Sequence, residues 1–180
     1  MINFPDAEFE PIVSAIAKIS ATKTGPILIA IDGPAGSGKT SLANQLSNKL
    51  NSVTTIHMDD LYKGWEDALT ATLTQHLKEW IIDPFGKHQS VLYQKFNWST
   101  GEYGLAVEAR DIQLLILEGV GAAQEIIRQS ADLTIWIEVG ERWKHRISCW
   151  LSSWWQKEPN VMGPICNCFS RIQGIPKIRS

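Results

Sequence analysis

Ile27-Leu28-Ile29-Ala30-Ile31-Asp32-Gly33-Pro34-Ala35-Gly36-Ser37-Gly38-Lys39-Thr40-Ser41 is the stretch that decides the fold of this chain. It opens on a continuous apolar run, Ile27 to Ile31, with Gly25-Pro26 before it. Such a run suits a strand buried on both faces, as in a parallel sheet. Gly33 through Thr40 then satisfies G-x-x-x-x-G-K-[ST] in full, with a strand before it and a helix after it, as the pattern requires. Glycines let the backbone wrap closely, so that successive N–H groups point at phosphate oxygens. The helix N-terminus behind them adds partial positive charge. Lys39 is placed to bridge β- and γ-phosphates, and the Thr40 hydroxyl to hold Mg²⁺. A glycine-rich turn that merely joined strand to helix would need neither. Residues 33–41 are therefore read as an ATP-binding P-loop.

The flanking sequence supplies the rest of an α/β pattern. Residues 8–20 place Ile12, Val13, Ala15, Ile16 and Ile19 at mixed three-and-four spacing, which predicts an amphipathic helix. Residues 41–50 read as a helix with Leu42, Leu46 and Leu50 on one stripe, and 53–58 as a short strand. From 65 to 82 the period is helical again, with Leu69, Leu73, Leu77 and Ile81 four apart. Asp83-Pro84-Phe85-Gly86 is expected to end that helix, since proline cannot continue one. Residues 87–111 are the least regular, containing Tyr93, Trp98 and the turn Ser99-Thr100-Gly101. Strand 112–118, helix 122–129, strand 133–139 and a helix from Glu141 onward follow. Strands alternating with helices predict a three-layer α/β/α fold with a mostly parallel sheet. Residues 159–180 hold no acid and several prolines and glycines, which predicts a loosely ordered tail with one strand near 165–169.

Composition bounds the function. The chain has 180 residues, the length of one domain, read as a core over about 8–147 and an atypical lid or tail over 148–180. Basic residues number 17 against 19 acidic ones, a net charge of −2, too balanced for electrostatic binding to nucleic acid or acidic membrane. No apolar run approaches the roughly 20 residues of a membrane span. The first ten residues carry acids and no base, unlike a secretory signal. Cys149, Cys166 and Cys168 form no disulfide framework, so reduced thiols and a cytoplasmic location are expected. His57, His76, His88 and His145 show no ligand spacing and are expected to be structural or exposed.

A P-loop works with a carboxylate at the end of a neighbouring strand. Leu114-Leu115-Ile116-Leu117-Glu118-Gly119 fits, and Glu118 joins Thr40 as a candidate Mg²⁺ residue. No Asn-Lys-x-Asp segment, which a G-protein-like switch needs, is present. A second acidic cluster, Ile56-His57-Met58-Asp59-Asp60-Leu61-Tyr62, closes the second strand. Strand carboxyl ends gather at one edge of a doubly wound sheet, so a carboxylate there can accept the proton of an attacking hydroxyl. Only one of Asp59 and Asp60 can point into such a site, because successive side chains alternate.

With the P-loop, Asp59-Asp60-Leu61-Tyr62 and Leu117-Glu118-Gly119, the chain resembles the uridine kinase-like group of P-loop kinases over about 25–147. The resemblance implies that Asp59 is the general base for a nucleoside hydroxyl, with Tyr62 beside it. It also implies a substrate segment at Tyr93 and at Phe96-Asn97-Trp98, where Asn97 stands at the place of an aspartate. Arg142 and Arg146 match the family's R-x-x-x-R, on the helix after the fourth strand, which would neutralise the transferring phosphoryl group. Cys149-Trp150 replaces the Arg-Asp pair expected next, so a short or altered lid is predicted. The implied activity is ATP-dependent phosphoryl transfer, with Mg²⁺, to a small nucleoside-like acceptor.

Two alternatives stand beside it. The opening Ile29 to Lys39 is similar to that of bacterial cytidylate kinases, which phosphorylate a monophosphate. A monophosphate acceptor calls for arginines near its phosphate, and none lies between Lys39 and Arg110. A regulatory protein that binds ATP without turnover is the other. Of the eight tryptophans, Trp65 and Trp98 flank the substrate segments and are placed to stack on a base, and Trp136 and Trp143 are expected to pack in the core. Trp143, Trp150, Trp154 and Trp155 crowd the lid segment.

Overall fold

The structure, a computed structural model, describes residues 4–139 and 145–151. Helix α1 (Asp6–Thr22), strand β1 (Ile27–Asp32), helix α2 (Lys39–Lys49) and strand β2 (Val53–His57) come first. Two 3-10 turns, Met58–Asp60 and Trp65–Asp67, lead into α3 (Ala71–His76), a π-helical turn (Leu77–Ile82) and α4 (Asp83–Gly86). Strands β3 (Val91–Asn97) and β4 (Glu102–Ala109) precede β5 (Leu114–Glu118), α5 (Glu125–Ser130), β6 (Leu133–Val139) and β7 (His145–Leu151).

The main sheet has the order β2-β5-β1-β6-β7, parallel throughout except at β7. Its strands alternate between two cores. Leu28, Ala30, Leu115 and Leu117 face the α3-to-α4 segment, the β3–β4 hairpin and α5. Ile29, Ile31, Ile116 and Ile135 face α1 and α2. Burial on both faces is what a parallel sheet with crossover helices demands, and each such leucine or isoleucine contributes about 1.5–3 kcal/mol. The α/β/α layering and mostly parallel sheet predicted from the sequence are therefore the observed fold. Parallel register also brings the carboxyl ends together: Glu118 lies beside Ile31 on one side and His57 on the other.

Four expectations are corrected. Residues 87–111 are not irregular, since β3 and β4 pair antiparallel around the turn at Ser99-Thr100-Gly101. Pro84 does not end the preceding helix. The turn before it widens so that the Asp83 N–H reaches the Lys78 carbonyl, which makes room for a ring without an N–H. Leu69, counted on the helical stripe, is 69% exposed, because regular helix begins only at Ala71.

The helix expected from Glu141 is a strand over 145–151. It pairs from Val139↔His145 to Leu133↔Leu151 and so satisfies what would otherwise be the open edge of β6. Ile147, Cys149 and Leu151 alternate by two as readily as Trp143 and Trp150 fall on a helical stripe, and the available ladder decides. Arg142, Trp143, Trp154, Trp155 and the strand expected near 165–169 lie outside the described residues. Among the described residues no helix is long and apolar enough to cross a membrane.

Candidate active site

The turn from β1 into the P-loop is held by Asp32, a residue sequence reasoning did not single out. Its buried carboxylate accepts from Gly33 N at 2.7 Å, Gly121 N at 3.1 Å and Ala123 N at 2.9 Å. One side chain thus fixes both the P-loop and the loop after β5, and α5 begins only at Glu125. Gly33 is required here. At φ +146° a Cβ would sit 2.3 Å from the Ile137 carbonyl oxygen. Its position at the strand end, one residue before the loop, was the available signal.

Lys39 is buried, and its ammonium donates to the Gly33 and Pro34 carbonyls at 2.9 and 2.8 Å. Burial lowers its pKa from the usual lysine value, against the opposing charges of Asp32, Glu118 and Asp59. Ser37, in the same loop, is buried with its hydroxyl unpartnered. In a loop built to surround an oxyanion, such a hydroxyl is a donor for it.

Glu118, at the end of β5, is buried and accepts the Thr40 hydroxyl at 2.9 Å. His57 Nδ1 bonds the same Oε1 atom. That bond is the largest cause raising the His57 pKa above the ordinary histidine value. Sequence reasoning took His57 for structural or exposed, because a contact across a strand pair leaves no local spacing to detect. Gly119 follows at φ +140°, where a Cβ would meet Met58 Cβ at 2.5 Å, so the β5 end presses directly on the turn carrying Asp59. Thr40 and Glu118 form an all-oxygen pair suited to Mg²⁺ that also holds phosphate. Among the described residues no group of three or more His, Cys, Asp or Glu side chains gathers as for an all-protein metal site. The donor set fits a magnesium ion brought with its nucleotide.

Asp59 and Asp60 part ways in the 3-10 turn after β2. Asp59 lines the cavity, whereas Asp60 pairs with Lys95 of β3 at 2.8 Å. The Tyr62 hydroxyl donates to Asp59 Oδ1. Burial, and then that bond, push the Tyr62 phenol well above its ordinary value, so it keeps the proton it donates to Asp59. Trp98 Nε1 donates to the Asp59 carbonyl at 3.0 Å, and the Tyr103 hydroxyl to the Leu61 carbonyl at 2.9 Å. The hairpin therefore grips the turn that carries Asp59. Trp65, 62% exposed, packs on Trp98 and Tyr62 at centroid distances of 5.4 and 5.9 Å.

A cavity of about 350 Å³ joins these parts, bounded by the P-loop and the first turn of α2, Asp59, Trp65, and Glu118 with Gly119 and Val120. Lys39 is the one cation lining it among the described residues. Not every predicted residue reaches it. Tyr93 is buried in the core, where burial raises its pKa, and Asn97 spends its side-chain oxygen on Ser99 N and Thr100 N in the hairpin turn. Trp98 stands behind Trp65 rather than on the wall. Arg146 is on β7 opposite Glu138, not on the helix expected for it.

The α/β/α layering with its mostly parallel sheet is a fold shared with solved kinase structures. The chain belongs to the family described as Domain of unknown function (DUF8485), which matches residues 9–156. No curated protein matches the sequence. Among solved structures, it is similar to one described as a possible uridine kinase from Bacillus stearothermophilus. They share 21% identity and a TM-score of 0.57, over 72% of this chain and 79% of that one. A candidate fructose transport system kinase from Silicibacter sp. TM1040 is similar at 20% identity and a TM-score of 0.51. That match covers 73% of this chain and 75% of the other.

Proposed function

We propose that this protein transfers the γ-phosphoryl group of ATP to a small uncharged hydroxyl acceptor, most simply a nucleoside. The observation that carries the proposal is the shared cavity, in which Lys39, Thr40 and Glu118 face Asp59 beside an aromatic wall. The fold neighbours, one described as a possible uridine kinase, support the reading at the level of architecture. The P-loop amides and Lys39 bind the phosphates, Lys39 exchanging its two loop carbonyls for phosphate oxygens. Thr40 and Glu118 would hold Mg²⁺, which neutralises phosphate charge. Asp59 accepts the acceptor's hydroxyl proton as the new P–O bond forms and the bond to ADP breaks. Tyr62 holds the Asp59 carboxylate in place, and Trp65 offers a face to an acceptor ring. Arg142 and Arg146 carry no step in this proposal.

A monophosphate acceptor is disfavoured by charge. Two carboxylates and one ammonium line the cavity, and Lys39 is already committed to the nucleotide. The test is ADP release across a panel of nucleosides, sugars, small hydroxy acids and CMP. Release that depends on an uncharged acceptor, and disappears in Asp59→Ala with ATP binding retained, is the expected result. Stimulation by CMP alone would establish the monophosphate reading instead. A flat panel from a protein whose melting temperature still rises with ATP would leave an ATP-binding regulator.

A further inference from the structure

Glu118 has a buried carboxylate, its side chain 4% exposed, and a buried carboxylate is held in place only by its donors. Among the described residues those donors are Thr40 and His57, and both act on the same oxygen, Oε1. Thr40 is itself a candidate Mg²⁺ residue, so its hydroxyl would ligate the cation and donate to Glu118 at once, whereas the bond of His57 goes to Glu118. His57 is the register partner of Glu118 across the parallel β2–β5 pair, its backbone fixed by that ladder. Its side chain is 37% exposed, and its hydrogen bond goes to Glu118. The chain thus spends a strand-end side chain on holding one oxygen of a carboxylate that lines the cavity. Neither the P-loop pattern nor the Asp59-Asp60-Leu61-Tyr62 segment calls for a histidine here.

We propose that His57 is the positioning residue of the metal carboxylate, its Nδ1–H fixing Glu118 in place for the nucleotide-bound cation. This rests on the reading of Glu118 as the metal carboxylate, and the test separates the two claims. Asparagine places its side-chain N–H where histidine places Nδ1–H, whereas alanine removes the donor. Mn²⁺ binding in the presence of a non-hydrolysable ATP analogue is measured by electron paramagnetic resonance for wild type, His57→Ala, His57→Asn and Glu118→Gln. Analogue binding in EDTA serves as the metal-free reference. A lost hydrogen-bond partner of a metal ligand costs about 10-fold or more in metal affinity. His57→Ala is therefore expected to weaken Mn²⁺ about 10-fold with EDTA binding unchanged, and His57→Asn to recover most of that loss.

Equal loss in the alanine and asparagine variants would overturn the proposal, because the ring and not its donor would then matter. Wild-type Mn²⁺ affinity in His57→Ala, with Glu118→Gln weakened, would also overturn it while leaving the metal carboxylate standing. Unchanged affinity in Glu118→Gln would remove both claims. No acceptor or turnover enters the measurement, so it is independent of which molecule is phosphorylated.

Discussion

Replacing Asp32 with asparagine changes one oxygen into an amide nitrogen at the place where two loops are tied to β1. In its best orientation the asparagine keeps its oxygen toward Gly33 N and Gly121 N and turns its NH₂ against Ala123 N, donor against donor. Losing a bond to a charged acceptor costs about 1.5–3 kcal/mol, and the two bonds that remain fall to roughly neutral strength, about 1 kcal/mol less each. The expected loss is therefore about 3–5 kcal/mol, a large share of the roughly 5–15 kcal/mol that holds a domain together. For a chain of this length it corresponds to a melting temperature roughly 10 °C lower. Urea denaturation followed by circular dichroism reads it directly as a fall in midpoint at unchanged slope. Asp32 is also the leading charge opposing the burial of the Lys39 ammonium. Its removal lowers the Lys39 pKa further, and ATP binding weakens along with stability. A stability loss below about 1 kcal/mol would refute the assignment of Asp32 as the tie between the loops.

The hairpin grip and the tyrosines make two further predictions. Tyr103→Phe keeps the ring contacts with Phe96 and Trp80 but leaves the Leu61 carbonyl without its donor. We expect a loss of about 1–2 kcal/mol in urea denaturation with ATP affinity unchanged, and an equal loss of ATP affinity would show that the grip serves the phosphate side. The three tyrosines, Tyr62, Tyr93 and Tyr103, all have phenols raised above the ordinary value, burial being the first cause in each. An acid raised in the folded state keeps its proton longer than in the unfolded chain. Stability is thus intact below about pH 10 and lost as pH climbs from there through the raised folded values. Absorbance at 295 nm should accordingly rise together with unfolding, and tyrosinate forming at pH 10 in a protein of native circular dichroism would contradict the burial.

What the sequence disclosed was whatever its local pattern could encode. β1, the P-loop and β6 were read from runs of apolar residues and a motif whose parts are neighbours in the chain. The hairpin escaped because its alternation is broken. Val91 and Tyr93 face the core at period two, and a register shift between Gln94 and Phe96 moves the next inward residue off that count. The segment around Leu69 misled for the same kind of reason, since 3-10, α- and π-turns follow one another there and no single period fits them. In the site, Lys39, Thr40, Glu118 and Asp59 were legible as residue types at strand ends. Asp32 and His57 were not, because what distinguishes them is a partner across the sheet. His57 and Glu118 are 61 positions apart, and Asp32 and Ala123 are 91.

Both halves of the cavity combine local and distant information. On the phosphate side the Lys39 bonds span only five and six residues, whereas Thr40–Glu118 and Asp32–Ala123 span 78 and 91. The half assigned to the acceptor under the proposed function depends on the hairpin, whose bonds to the Asp59 turn span 39 and 42 residues. Substitutions on β3 and β4 are therefore expected to move Trp98 and the Asp59 turn while the Lys39 bonds to Gly33 and Pro34 stay in place. A chain can in this way keep one nucleotide while its acceptor changes. Under the proposed function, the determinant of acceptor choice is then to be sought in residues 91–109 and the turn they hold, not in the P-loop motif by which the chain is first read.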